Sequence, residues 1–182
     1  MIKIALGLGT NLGNRLENLI MAIRSLLDVG IISNITISSL YETTPLVPEN
    51  TPGSWKNRTF YNIVIKGETN YTSLELIQKI KVTESILGRK KRLKWAPREI
   101  DIDILVYENQ CINILHGELS LIIPHTDLLN RDFFLIPLVQ LWPEWQYPVI
   151  GENLNKPLLA ITENFTGTKT IINITQFPKI PL

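Results

Sequence analysis

"KWAPREIDIDILVYEN" (residues 94–109) sets Arg98, Glu99, Asp101 and Asp103 into a run of branched apolar residues. Read as a strand, it places Ile100, Ile102 and Ile104 on one face and Asp101 and Asp103 on the other, because side chains alternate across a strand. The isoleucine face can fill a core. The two carboxylates then stand ~7 Å apart at ~3.3 Å of rise per residue. Two readings of that face stand side by side: a solvated polar face on an edge strand, or a pair of hard oxygen ligands suited to Mg²⁺.

The preceding residues bear on that choice. "GRKKRLKWAPR" (88–98) holds Arg89, Lys90, Lys91, Arg92, Lys94 and Arg98. Such a charge run is ordinarily a solvated surface. A cationic loop leading straight into an Asp-x-Asp strand is also what a magnesium–polyphosphate site requires, since cations offset phosphate charge and carboxylates hold the bridging metal. Trp95 either stacks on a base or pins the loop, and pinning is the more ordinary role.

Further outward, the strand at 100–107 is the last of six elements. "IKIALGLG" (2–9) reads as a buried first strand. A helix opens at Asn14, with Glu17 completing a capping box, and Leu16, Leu19, Ile20, Ile23, Leu26 and Leu27 keep helical spacing up to Gly30. "NITISSLYETT" (34–44) alternates as a second strand with Ile35, Ile37, Ser39 and Tyr41 on one face. A loop over 46–58 leads to "TFYNIVIKGET", the third strand. Thr72 with Glu75 opens a second helix, whose stripe is Leu76, Ile77, Ile80 and Leu87 and whose stop is Gly88. The order βαββαβ predicts an α+β, ferredoxin-like core: an antiparallel sheet with packed helices, to which 110–150 adds short elements. Residues 1–160 form the expected domain, and 161–182 a C-terminal tail or linker with one short strand.

Composition agrees with a packed domain. The chain has 182 residues, 45% hydrophobic and 19% charged, which excludes global disorder. A net charge of +1 argues against a broad nucleic-acid or acidic-membrane surface. Cys111 is the only cysteine, so no intramolecular disulfide forms, and a reducing, cytoplasmic setting is expected. No apolar run approaches the ~18 residues of a membrane span. "GLGTNLG" has the spacing G-x-G-x-x-x-G and so fails the dinucleotide fingerprint; a tight turn with close packing fits it better. His125 in "IIPHTD", a lone histidine at a strand end, is more often structural than catalytic.

With these residues in view, "KWAPREIDIDIL" resembles the signature of the 6-hydroxymethyl-7,8-dihydropterin pyrophosphokinases, joined in order by "GLGTNLGNR", "SLYETTPL", "FYN" and "PHTDLLNRDFF". The resemblance covers about residues 1–160. It implies transfer of pyrophosphate from ATP to the pterin hydroxymethyl group, releasing AMP, in folate biosynthesis. It implies two Mg²⁺ ions on Asp101 and Asp103, and phosphate-directed roles for Arg89 and Arg98. Lys91, Arg92 and Trp95 match the mobile catalytic loop; Glu84, His125, Arg131 and the backbone at Ile104 match nucleotide contacts. Thr43, Leu46 and Asn62 match the pterin pocket, with Phe60 and Phe133 as the rings that sandwich it. Departures are Phe60 where some relatives carry Tyr, Lys81 for a Gln, Val47 for a Gly, and a catalytic loop one residue shorter, with Lys91 and Lys94 near arginine positions.

The competing function is a ferredoxin-like module that holds RNA or a nucleotide through the 89–98 loop without chemistry. The near-neutral charge and the adjacent Asp pair count against it. The expected partners are therefore small molecules, with neither nucleic acid nor membrane. "KTIINITQFPKIPL" (169–182) has a short resemblance to the first strand of dihydropteroate synthase, which is fused to this kinase in some organisms; an ordinary C-terminal strand is the competing reading.

Overall fold

The computed structural model describes residues 1–180 apart from Lys91, Lys94 and Glu118. The first half follows the expected order. Strand β1 (Ile2–Thr10) leads to helix α1 (Arg15–Asp28), where the Asn14 side chain accepts from the Glu17 N–H at 3.3 Å. Gly30, at φ +67°, lets the chain turn off the helix. Strands β2 (Ser33–Ile37) and β3 (Leu40–Thr43) follow, then the short helix α2 (Gly53–Lys56) and strand β4 (Phe60–Thr69). Helix α3 (Ser73–Ile86) has the full capping box between Thr72 and Glu75, and strand β5 (Asp101–Tyr107) closes the βαββαβ order.

The expected second strand is thus two. Ile37 lies opposite Ile65 and Tyr41 opposite Asn62, so β2–β3 spends one residue more than β4 over this interval. The extra residue is accommodated at Ser38, whose hydroxyl accepts from Val64 N at 3.0 Å. A one-residue insertion reverses the facing of everything after it. Ile35 and Ile37 accordingly pack on the α1–α3 side, whereas Tyr41 donates to Gln140 at 3.1 Å on the other side. The predicted common face of Ile35, Ile37, Ser39 and Tyr41 is corrected.

The remaining elements are the hairpin β6 (Ile112–His116) and β7 (Leu119–Ile123), helices α4 (Asp132–Leu141) and α5 (Leu158–Thr162), and strand β8 (Ile171–Thr175). The main sheet runs β5-β1-β4-β3-β8, with β2 also on β4 and every pairing antiparallel. Two cores flank it. Helices α1 and α3 cover one face through Leu19, Ile23, Leu26, Leu76 and Ile80 against Ile4, Leu6, Ile102 and Ile104. On the other face α4 and α5 place Phe134, Leu135, Leu138 and Leu158 on Ala5, Val64 and Val106. The tail strand β8 extends the sheet beyond β3, Ile171 lying opposite Thr43.

Candidate active site

The sheet register builds the centre. Gly7 of β1 lies opposite Asp103 of β5, and Gly9 opposite Asp101. Without side chains on β1 the surface between the strands is open, and both carboxylates face a cavity. Gly7 and Gly9 are therefore strand residues and not part of a turn; only Gly13, at φ +68°, turns the chain. A Cβ on Gly9 would lie 2.7 Å from Asn62 Oδ1, and one on Gly7 3.0 Å from the Phe134 ring. The expected close packing is found at Gly7 and Gly9, and the expected turn at Gly13.

The same cavity gathers Thr43, Leu46, Phe60, Asn62 and Phe133, together with Trp95, Arg98 and Arg131. Asn62 donates to Thr43 Oγ1 at 2.9 Å, and both residues are buried. Phe60 and Phe133 are half-buried, each leaving ring surface toward the opening. The base of the 44–59 loop is fixed from behind. Arg15 donates to Glu42 at 2.9 Å and to the Thr59 hydroxyl at 2.6 Å, with its guanidinium 3.7 Å from the Tyr61 ring centre. The Thr59 hydroxyl, and then Arg15, hold the Glu42 carboxyl below its usual range.

A second groove lies on the other side of residues 96–98, lined by Lys81, Glu84, Arg89, Lys90 and Arg92. Ala96 and Arg98 line both. Glu84 occupies the position after Ile80 in the apolar stripe of α3, and it is 1% exposed. A carboxylate there must be paired. It accepts from Ile102 N at 2.7 Å, from Lys81 at 2.9 Å and from Arg89. Burial pushes Glu84 up while Lys81 and Arg89 pull it down. Arg89 also reaches Asp101 at 2.5 Å, and Arg98 pairs with the other Asp101 oxygen. Two cations of the loop, Arg89 and Arg98, are thus already paired with Asp101.

Asp103 is pushed up to about 7, first by burial and then by the Asp101 charge. An enclosed like-charged pair of hard oxygens is the donor chemistry a divalent cation relieves, so these residues fit Mg²⁺. Among the described residues no third His, Cys, Asp or Glu joins them as a ligand group. A magnesium ion held by two carboxylates takes its other ligands from phosphates and water.

His125 and Ile104 lie apart from both openings. The Ile104 side chain belongs to the core, and its strand β5 is the sheet edge. His125 donates its backbone N–H to Leu105 O at 3.0 Å, and its Nδ1 accepts from Asp127 N at 3.1 Å. Burial, and then Arg131, lower its pKa; with Nδ1 accepting, Nε2 is the ring nitrogen left to donate. Arg131 pairs with Asp127 at 2.5 Å and lies 5.8 Å from the Phe133 ring centre. Arg92 forms a fork on Glu99, at 2.5 and 3.2 Å. Lys91, one of the expected loop cations, lies outside the described residues, as does Lys94.

Sequence reasoning missed several members. Thr44, Val47 and Phe134 line the cavity without any signal in spacing. Asn11 is buried and accepts from Arg98 N at 2.9 Å, while its own N–H donates to Arg98 O at 3.2 Å. A polar residue directly after an apolar strand was the available sign.

Comparison with known proteins places the chain in a family. The family model for 7,8-dihydro-6-hydroxymethylpterin-pyrophosphokinase matches residues 5–143. The 2-amino-4-hydroxy-6-hydroxymethyldihydropteridine pyrophosphokinase of Aquifex aeolicus is 38% identical over 156 residues, covering 86% of this chain and 90% of that protein. The Haemophilus influenzae enzyme of the same name is 33% identical over 141 residues, 78% of this chain and 82% of that one. A folate synthesis bifunctional protein of Chlamydia trachomatis is 38% identical over 157 residues, but this chain spans only 34% of its length. Among solved structures, the Plasmodium falciparum HPPK-DHPS superposes with a TM-score of 0.67 at 18% identity, covering 91% of this chain and 44% of that one, which is a likeness of fold. The chain belongs to the 7,8-dihydro-6-hydroxymethylpterin-pyrophosphokinase family.

Proposed function

We propose that the strand-borne carboxylates, the two arginines and the aromatic pair divide the work of one reaction, the transfer of pyrophosphate from ATP to 6-hydroxymethyl-7,8-dihydropterin with release of AMP. The chain is a diphosphokinase of folate synthesis. The observation that carries the division of labour is that Asp101, Asp103 and Arg98 share one cavity with Phe60 and Phe133. A flat ring between the two phenylalanines would present its hydroxymethyl oxygen toward the carboxylates. That oxygen attacks the β-phosphorus, the bond to the departing AMP oxygen breaks, and the hydroxyl proton leaves to solvent.

Positioning and charge stabilisation carry most of such a transfer. Asp101 and Asp103 would hold two Mg²⁺ ions, which supply charge neutralisation on the triphosphate. Arg89 and Arg98 currently neutralise Asp101, and the entering phosphate oxygens compete for the same guanidinium donors. Arg98 lines both cavity and groove, which supports its acting on the transferred group; Glu84 holds Arg89 from behind. His125 Nε2, Arg131, Arg92, Trp95, Lys91 and the Ile104 backbone serve the nucleotide. Thr43, Leu46 and Asn62 line the pterin's edge. The loops at 46–58 and 89–97 close over the substrates and exclude water.

All these contacts fall within 1–160, which we take as the pyrophosphokinase unit, with 161–182 as a tail that touches no substrate. Fusion to a dihydropteroate synthase after the tail is supported by the bifunctional relatives. The single exposed Cys111 suits a reducing cytoplasm; among the described residues no helix is long and apolar enough to cross a membrane. Incubation with ATP, Mg²⁺ and the pterin alcohol should yield AMP and the pterin diphosphate in equal amounts. Binding of ATP with no AMP formed would favour the nucleotide-holding module instead.

A further inference from the structure

The residues after 160 lie beyond the stretch matched by the family model, and none of the described ones lines the cavity. They nevertheless join its two walls. Asp132, the first residue of α4, is 2% exposed and sits between Arg131 and Phe133. Its carboxylate accepts from Phe133 N at 2.8 Å, from Thr170 Oγ1 at 2.6 Å, from Ile171 N at 2.9 Å and from Thr170 N. Thr170, 4% exposed, uses its carbonyl to accept from Thr44 N at 3.0 Å. One tail residue therefore bonds the α4 wall, which carries Arg131 and Phe133, and the β3 wall, which carries Thr43 and Thr44. The approach is tight: Thr168 N donates to Asn130 O at 2.8 Å, and a Cβ on Gly167 would lie 2.5 Å from that same oxygen.

A buried carboxylate keeps its place only while its donors keep theirs, because an unsatisfied charge in the interior is expensive. The Asp132–Thr170 bonds thus fix where the turn before α4 stands relative to the end of β3. We propose that Thr170 and Asp132 are positioning residues for the transfer: the tail clamps the two walls at the separation that holds the pterin between Phe133 and Phe60, which lies opposite Thr43 in the β3–β4 pairing. This rests on the assignment of Phe133 and Thr43 to the pterin pocket. Bonds lost at the clamp let the walls drift, and a misplacement of about 1 Å at a site of this kind can cost on the order of 100-fold.

The test uses the full chain with Thr170→Val, which removes only the hydroxyl, Thr170→Ser, which keeps it, and Asp132→Asn, which keeps the volume but loses an acceptor. KM and kcat for the pterin alcohol and for ATP, calorimetric affinity for each, and melting temperature are read together. Thr170→Val and Asp132→Asn should raise the pterin KM by about ten-fold or more, with the ATP KM moving far less, and Thr170→Ser should restore it. A lower melting temperature with an unmoved pterin KM would reduce the clamp to a structural role and overturn the proposal. Phe133→Ala, run alongside, separates the two levels. If it weakens pterin binding while Thr170→Val does not, the clamp alone fails; if Phe133→Ala also leaves pterin binding intact, the pocket assignment fails and the clamp's role with it.

Discussion

The strand floor and the loop 89–98 carry opposite charges and are held by different means. On the floor, Asp101 and Asp103 are fixed by backbone pairing to Gly9 and Gly7, and the isoleucines between and beyond them are sealed in the core. In the loop, Arg89, Arg92 and Arg98 are held by side-chain ion pairs to Glu84, Glu99 and Asp101. Backbone register cannot be exchanged for a ligand contact, whereas an exposed ion pair such as Arg92–Glu99 can be traded for a phosphate oxygen at little net cost. The difference teaches how one site can be rigid at its carboxylate floor and still yield at its cationic loop.

Breaking the floor should have the largest effect. Asp101→Asn or Asp103→Asn is expected to lower turnover by about 10³-fold or more, since several kcal/mol of charge stabilisation depend on the carboxylates. Stability should move the other way at Asp103. Its folded-state pKa of about 7 lies above the ordinary carboxylate value, so ionisation of the native protein costs stability, increasingly as pH rises from about 4 to 7. Melting curves in chelator should therefore show Asp103→Asn gaining on the parent over that window and levelling off above it. Near-normal turnover in both variants across a Mg²⁺ titration would sink the metal assignment.

The cationic side should respond next. Arg98→Ala is expected to lose roughly 10²–10³-fold in kcat with the fold intact. Arg89→Ala should lose as much, and in addition some stability, because buried Glu84 is left with Lys81 and Ile102 N. Steady-state kinetics with a melting curve for each would read this difference; equal melting temperatures would mean that Arg89 does not support Glu84.

The ring pair should give a selective effect of intermediate size. Phe60→Ala and Phe133→Ala are expected to weaken the pterin by about 1–3 kcal/mol and ATP by little, by analogy with base–aromatic stacking. Titration calorimetry with each ligand decides it, and equal losses would turn both rings into core residues. The smallest effects are expected at Lys90→Ala and Glu99→Gln, within about three-fold in kcat/KM. Glu99 holds Arg92 in an exposed fork, and exposed pairs contribute only ~0–1 kcal/mol. If Lys90 proved as sensitive as Arg98, the loop would be acting as a diffuse cationic surface.

The sequence by itself determined what is local. The Asp-x-Asp alternation of β5, the Thr72–Glu75 capping box, the glycine stops at Gly30 and Gly88 and the helical stripes each follow from residues a few positions apart. With the family resemblance, most of the candidate site could be named residue by residue. Tertiary structure decided whatever rests on distant partners. The extra residue at Ser38 shows only against β4, and it turned Tyr41 toward α4. Gly7 and Gly9 acquire their meaning from Asn62 and Phe134. Asn11 meets Arg98, and Asp132 meets Thr170, across long stretches of chain. The physical reason is one of range: periodicity and capping act within a turn or a strand, whereas burying a polar group needs a partner that only the folded chain delivers.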